Sequence, residues 1–363
     1  MPIPVIQTRL RLLYGKNGVD ITESLLSDLL EFSYEDKETN EAEEISVKLK
    51  DDTGKWAGNW QPDGGDIIKA WIIPGNVDEP DNSRMLFCGE FYVDELSVGG
   101  MPRTFDMKAV SIPLNKPIRR KQKTRAWEKK TLKNIAAEIA ADANIKLFFD
   151  SNENPEYDRE EQNQESDLKF LSRLCEDKGL SIKVTTAKLV IFDQKSYESK
   201  KPIKTLTLGK SNILSYGFTM QQSETYRSCK VQYRDPAQKK AGEAAGKSLN
   251  PEKAASSNKA VLTYTYDDPL ASEDGQEYTV NERVKSLEEA KKLAMATLRR
   301  LNARQTTGNM TIIGDTSLSA GCVIACKGFG KVDGNFIIES ASHTVGGGGY
   351  TTALTLRRVN TKY

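Results

Sequence analysis

Between residues 5 and 110, apolar and polar side chains alternate with a period of two, which turns one face of an extended chain inward and leaves the other in water. The pattern is plainest in Gln7-Thr8-Arg9-Leu10-Arg11-Leu12, in Ile45-Ser46-Val47-Lys48-Leu49 and in Thr104-Phe105-Asp106-Met107-Lys108-Ala109-Val110. Turn-forming residues punctuate it at Gly15-Lys16-Asn17-Gly18, Pro62-Asp63-Gly64-Gly65, Pro80-Asp81-Asn82-Ser83 and Gly99-Gly100. A mostly antiparallel barrel or sandwich is expected. The acidic stretch from Glu35 to Glu44 carries six carboxylates and one Lys. Like charges this dense repel one another, so it reads as a solvated loop.

The period then changes. Arg119 to Arg125 forms a basic connector, and a helix is expected from about Thr131 to Ala143, with Leu132, Ile135, Ala136, Ile139, Ala140 and Ala143 on one stripe and Asn144 as a left-handed cap. A second helix starts at Ser166, with Leu168, Leu171, Leu174 and Cys175 inward and Gly179 at its stop. Leu180 to Val184 and Lys188 to Phe192 then alternate as the two arms of a hairpin. The strand pattern resumes at Ile203 to Leu208. Pro236 to Lys259, rich in Ala, Lys, Gly and Ser, lacks the apolar surface to offset its ordering entropy and is expected to be a mobile loop. A third helix opens on the capping box Ser286-Leu287-Glu288-Glu289 and runs to about Ala303, with Leu287, Ala290, Leu293, Ala294, Leu298 and Leu301 inward. Phe336 to Ser340, four glycines at 346–349 and Tyr350 to Leu356 read as a closing hairpin. The chain is therefore α+β and predominantly β, with β regions at 1–118 and 205–363 separated by a small α+β insert at 119–204. No sequence repeat relates the two β regions.

Composition narrows the function. With 363 residues, 38% hydrophobic and 28% charged, the chain can fill two or three cores and is not disordered throughout. A net charge of +1 provides no whole-chain field to concentrate nucleic acid. Apolar runs are far shorter than the roughly 20 residues that span a bilayer, so no membrane insertion is expected. Met1-Pro2-Ile3-Pro4 lacks the features of a secretory signal, and synthesis in the cytoplasm is expected. The five cysteines, at 88, 175, 229, 322 and 326, include no Cys-x-x-Cys pair and read as buried thiols.

Catalytic signatures are sparse. His343, the single histidine, stands mid-strand and reads as a structural side chain. The chain contains no His-Glu-x-x-His, Walker-type or EF-hand pattern. The glycine run at 346–349 leads into a strand, whereas a phosphate cradle opens a helix. No catalytic, cofactor-binding or metal-ligating residue is assigned. Charge is more telling: residues 119–130 carry seven basic side chains and one Glu, and residues 150–167 carry eight acidic ones and one Arg. Solvated faces are the plain reading of these blocks, and pairing across a subunit interface is the sharper one.

Two stretches are similar to those of a known family. Gln164-Glu165-Ser166-Asp167-Leu168-Lys169-Phe170-Leu171-Ser172-Arg173-Leu174, followed by Gly179, resembles the Gln-x-Ser-Asp-x-x-Phe-Leu-x-Arg-Leu segment of phage late control protein D and the VgrG spike hubs. His343 followed by Gly349-Tyr350-Thr351-Thr352 resembles the closing hairpin of that family, and Leu318 to Ile324 resembles the strand between them.

The resemblance implies a structural baseplate hub of a contractile tail, from a phage, a defective prophage or a tail-derived bacteriocin. It implies two tube-like β-barrel domains, at 1–118 and 205–363, and a homotrimer whose six similar positions adapt a sixfold tail tube to a threefold spike. Expected partners are the tail tube protein, a separate spike protein and other baseplate proteins, with no cofactor and no enzymatic activity. The rival readings are a peptidoglycan-degrading baseplate enzyme and a peripheral receptor- or glycan-binding module.

Overall fold

A computed structural model describes residues 8–38, 42–75, 84–111, 118, 121–184, 188–221, 225–233, 262–268, 275–284 and 286–359. The first β region contains β1 (Arg9–Tyr14), β2 (Val19–Asp20), the short helix α1 (Thr22–Leu26), β3 (Leu29–Lys37), β4 (Glu44–Lys50), β5 (Ile67–Ile73), β6 (Leu86–Gly99) and β7 (Thr104–Val110). Period-two burial is direct along β4, where Ile45, Val47 and Leu49 point into a core shared with Phe32, Ile68, Phe91, Val93 and Phe105.

The insert follows as β8 (Gln122–Thr131), α2 (Leu132–Asp142), β9 (Lys146–Asp150), β10 (Glu156–Ser166), α3 (Asp167–Glu176), β11 (Leu180–Val184), β12 (Lys188–Asp193) and α4 (Gln194–Glu198). Both longer helices begin where capping chemistry places them: Thr131 accepts from the Asn134 N–H and Ser166 from the Lys169 N–H. Asn144 closes α2 with φ +50° and Gly179 follows α3 with φ +69°. β11 and β12 pair antiparallel, as the alternation predicts. Of the segment read as a basic connector, Gln122 to Arg125 are instead strand, for β8 pairs antiparallel with β10, and Arg119 and Arg120 lie outside the described residues. Only Trp127 of β8 is buried, so no apolar alternation announces the strand.

The last region contains β13 (Lys204–Thr207), β14 (Ile213–Met220), β15 (Tyr226–Tyr233), β16 (Leu262–Asp267), β17 (Gln276–Val284), α5 (Leu287–Asn302), β18 (Thr306–Ile313), β19 (Val323–Lys327), β20 (Gly334–Gly346) and β21 (Gly349–Arg358). Ser286 caps α5 by accepting from the Glu289 N–H. Ala290, Leu293, Ala294 and Leu298 face the β15–β16–β17 sheet, forming a separate small core. Leu287, expected inward, is exposed in the first turn of α5. The segment 236–259, expected as a mobile loop, lies outside the described residues.

One thirteen-stranded sheet joins the two β regions, in the order β14-β18-β21-β20-β3-β4-β7-β6-β5-β1-β2, with β19 and β13 branching from β20. Its two ends repeat each other. The path β3-β4-β7-β6-β5-β1 of the first region matches β14-β18-β21-β20-β19-β13 of the last, strand for strand in chain order. Even the irregularities coincide: the bulge between Leu29 and Glu31 matches that between Ile213 and Ser215, and the bulge between Val93 and Glu95 matches that between Ile338 and Ser340. The row Leu29–Leu49–Phe105–Val98 thereby corresponds to Ile213–Ile312–Thr352–His343. The repeat departs at two places: β5 and β6 pair through a bulge between Ala70 and Trp71 that β19 and β20 lack, and β1 meets β5 antiparallel where β13 meets β19 parallel.

The acidic stretch departs from its expected solvation. Glu35, Asp36 and Lys37 end β3 and Glu44 begins β4, while Asp36 and Glu38 are buried.

Candidate functional site

The joint between the repeats is the pairing of β20 with β3, running from Ser340 opposite Lys37 to Gly346 opposite Glu31. At its centre His343 lies opposite Tyr34, with the two rings stacked at a centroid distance of 6.0 Å. Its Nε2 is 3.1 Å from the Leu318 carbonyl oxygen, and its Nδ1 is 2.8 Å from the Tyr350 hydroxyl and 3.3 Å from Thr352 Oγ1. A carbonyl only accepts, so Nε2 carries the proton and Nδ1 accepts, with Tyr350 the nearer donor. Burial lowers the imidazole pKa from 6.5, against the opposing pull of the Leu318 carbonyl and the Asp36 and Asp315 charges. The two-residue turn after Gly346 puts His343 opposite Thr352, and Tyr350 lies flat against Gly314, where a Cβ would stand 2.0 Å from the ring. The His and the Gly-Tyr-x-Thr residues thus form one hydrogen-bonded cluster. It holds hairpin, loop and first region together, and it buries the imidazole away from solvent.

Two ionic clusters flank this joint. Lys183 on β11 donates to Asp36 Oδ1 at 2.8 Å and to Glu43 Oε1 at 2.9 Å, while Asp36 Oδ2 accepts from the Ala320 N–H at 2.8 Å. A single carboxylate thereby ties the first region, the insert and the last region. Burial disfavours the Lys183 ammonium, but Asp36 and Glu43 outweigh it and raise its pKa. In the second cluster, Arg357 on β21 donates from Nη1 to Glu198 Oε1 at 2.8 Å and from Nε to Glu339 Oε1 at 3.2 Å, and Arg299 on α5 meets the other oxygen of Glu198. Arg357 Nη2 stands 3.9 Å from Glu38 Oε2. Glu38 Oε1 is buried without a hydrogen-bond partner, and burial pushes this carboxyl up to about 7 despite Arg357.

The Gln-x-Ser-Asp segment is an anchor of the insert. Asp167, one residue after the Ser166 cap, is buried and accepts from Lys123 at 2.6 Å, Arg125 at 2.8 Å and Gln162 at 2.9 Å. The Arg125 guanidinium lies 4.3 Å from the Trp127 ring centroid, and Trp127 stacks on Phe170. Arg173 pairs with Glu165 at 3.1 Å, and Leu171 and Leu174 are buried. Gln164 itself is exposed, with φ +48° at the β10 bulge. The basic and acidic blocks therefore meet within one chain: Lys123, Arg125 and Glu128 of the first face Asp167 and Arg159 of the second.

Among the described residues, little resembles a reaction centre. A groove of about 1000 Å³ between insert and α5 is lined by side chains of both signs, among them Glu153, Glu176, Lys292, Arg299, Arg300 and Arg357. Lys292 and Arg299 in its wall are engaged by Glu153 and Glu198. Among the described residues no group of three or more His, Cys, Asp or Glu is arranged to hold a metal. Cys88, Cys175, Cys229 and Cys326 are buried, and burial pushes the Cys175 thiol up to about 12, far from the thiolate a nucleophile needs. No described helix is long and apolar enough to cross a membrane.

The chain is 24% identical over 230 residues to a "Probable baseplate hub protein" of Escherichia phage 186, and 26% identical over 214 residues to the protein of the same description from Escherichia phage P2. These matches take in 62% and 57% of this chain, and the chain spans little more than half of each relative, 57% and 52%. The fold is shared almost end to end with the 43 kDa tail protein of prophage MuSo2 from Shewanella oneidensis, at a TM-score of 0.70 and 13% identity, covering 97% of this chain and 98% of that one. Residues 101–349 match the family model described as phage tail baseplate hub (GPD), a span that contains the Asp167 anchor and the β20 strand of the joint, and the chain belongs to that family.

Proposed function

We propose that this chain is the structural hub of a contractile phage tail or phage-tail-like particle, working as a homotrimer. Two tube-like β-barrel domains per chain, built on 1–118 and 205–363 and separated by the insert at 119–204, give three copies six similar positions. The ring joins a sixfold tail tube to a threefold spike carried on a separate protein, with other baseplate proteins around it. The particle is assembled in the cytoplasm of the host bacterium. The observation that carries this reading is the repeat of strand order, register and bulges between the two ends of one continuous sheet. A chain that already contains two equivalent steps around an axis needs half as many copies as the ring has positions.

The role is mechanical. The groups that sequence resemblance singles out hold the backbone: His343 joins strands, Asp167 locks a ribbon to a helix, and Gly179 turns the chain. A peptidoglycan zymogram of the purified protein tests this directly. No clearing is expected, and clearing abolished by a single carboxylate substitution would assign an enzyme instead.

A further inference from the structure

The groove between the insert and α5 is long, and its lining holds polar atoms left without partners. On α5 the lining is one face of the helix, with Glu289, Lys292, Ala296, Arg299 and Ala303 spaced three or four residues apart. From Glu289 to Arg300 this face runs about 16 Å, the length of about five residues of extended chain. Among the described residues, three buried atoms of the lining have no hydrogen-bond partner: Glu38 Oε1, Arg357 Nη2 and Tyr157 Oη. Glu38 and Arg357 are 6% and 4% exposed, and Arg357 Nη2 stands 3.9 Å from Glu38 Oε2, too far for a hydrogen bond. A lone buried donor or acceptor carries its full desolvation penalty until a partner arrives.

Charge selects that partner. An anion drawn to Arg357 also meets Glu38, and a cation drawn to Glu38 also meets Arg357. A peptide unit suits both, because the N–H and C=O of one residue in an extended chain point to the same side. Extending the hub reading above, on which the choice of partner rests, we propose that this groove takes an extended segment of another tail protein and holds it by its main chain. One residue of the segment donates its N–H to Glu38 Oε1 and accepts from Arg357 Nη2 through its C=O, and Tyr157 Oη offers a further donor along the groove. The ion pairs that cross the groove, Lys292 with Glu153 and Arg300 with Glu176, lie at the surface, where such pairs are worth little, and the arriving segment opens them.

The test uses synthetic peptides that tile the tail proteins encoded in the same genome, titrated onto the full chain by fluorescence polarisation. Each peptide that binds is then N-methylated one residue at a time. Methylation deletes a main-chain donor of the peptide and leaves this protein untouched, so lost binding cannot come from misfolding. At least one peptide is expected to bind more tightly than about 1 mM. Methylation at a single residue should weaken it at least about tenfold, whereas methylation of the residues on either side, whose N–H groups point away, should change it less than about twofold. Ala303→Trp, which places an indole in the groove, should weaken the same peptide at least as much. The site is overturned if no peptide binds, leaving only water against Glu38 and Arg357, if methylation is tolerated at every residue, or if Ala303→Trp binds as well as the natural chain. Light scattering on the same samples separates this inference from the reading beneath it. A three-chain mass with no peptide bound removes the groove site and leaves the hub, and a peptide bound to a chain that stays single at every concentration removes the trimeric hub and leaves the site.

Discussion

At the residue scale, two buried titratable groups pull the stability of this protein in opposite directions with pH. The His343 pKa is lowered from 6.5, so below that pH the unfolded chain takes up the proton first and stability falls as pH drops toward the folded value. Protonated Nδ1 would lose its acceptor role toward Tyr350 and Thr352. His343→Gln is expected to flatten the acid limb of a plot of unfolding free energy against pH. Glu38 acts oppositely: its carboxyl sits at about 7 against an ordinary 4.5, so the folded chain binds more protons between those values and stability rises as pH falls through that window. Glu38→Gln should stabilise the protein at pH 8 by about 1–3 kcal/mol and leave it little changed near pH 4.5, read by urea denaturation at both pH values. A third residue carries no such compensation. Removing the Asp167 carboxylate by Asp167→Ala abandons Lys123 and Arg125 and should cost about 3 kcal/mol in the same measurement.

At the scale of elements, strands with apolar alternation and helices with caps were legible in the residues. Thr131, Ser166 and Ser286 start α2, α3 and α5 where side-chain acceptors meet free N–H groups, and the predicted boundaries agree within one or two residues. The β8–β10 ribbon was not legible, because opposite charges far apart in the chain brace it, Arg159 of β10 with Glu128 of β8 and Arg125 of β8 with Asp167 at the start of α3. Dense charge reads locally as a wet surface, and only pairing across 30 to 40 residues of chain reveals otherwise. The same reason hid the ends of β3: Asp36 and Glu38 look solvated in a run of six carboxylates, yet Lys183 and Arg357, far along the chain, draw them inside. Lys183→Met leaves Asp36 and Glu43 buried beside each other with no cation, and a loss of about 3 kcal/mol is expected. Hydrogen exchange should place the added opening at β11 and the Ala320 amide, whose partner Asp36 is then released.

At the scale of the whole molecule, the internal repeat is carried by backbone pairing and not by side-chain identity. Ile45 corresponds to Gly308, Phe105 to Thr352 and Val98 to His343, so aligned residues share neither size nor polarity. Compensation occurs in space: the Phe218 ring lies over Gly308, where a Cβ would stand 2.5 Å from it, so one strand supplies the volume its neighbour lacks. Volume exchange of this kind erases a sequence repeat while preserving the sheet, which is why pattern alone showed two β regions and not their equivalence. The small sheet of β15, β16 and β17 with α5 stands inside the second repeat, between β14 and β18, and its own core makes it an insertion that leaves the strand order intact. The central claim is that a chain of two equivalent steps closes on itself with three copies. Light scattering on the purified full chain across a concentration series measures this most directly: the account predicts a species of three times 40.4 kDa, about 121 kDa, and a mass that stays at one or two chains at the highest concentration would contradict it.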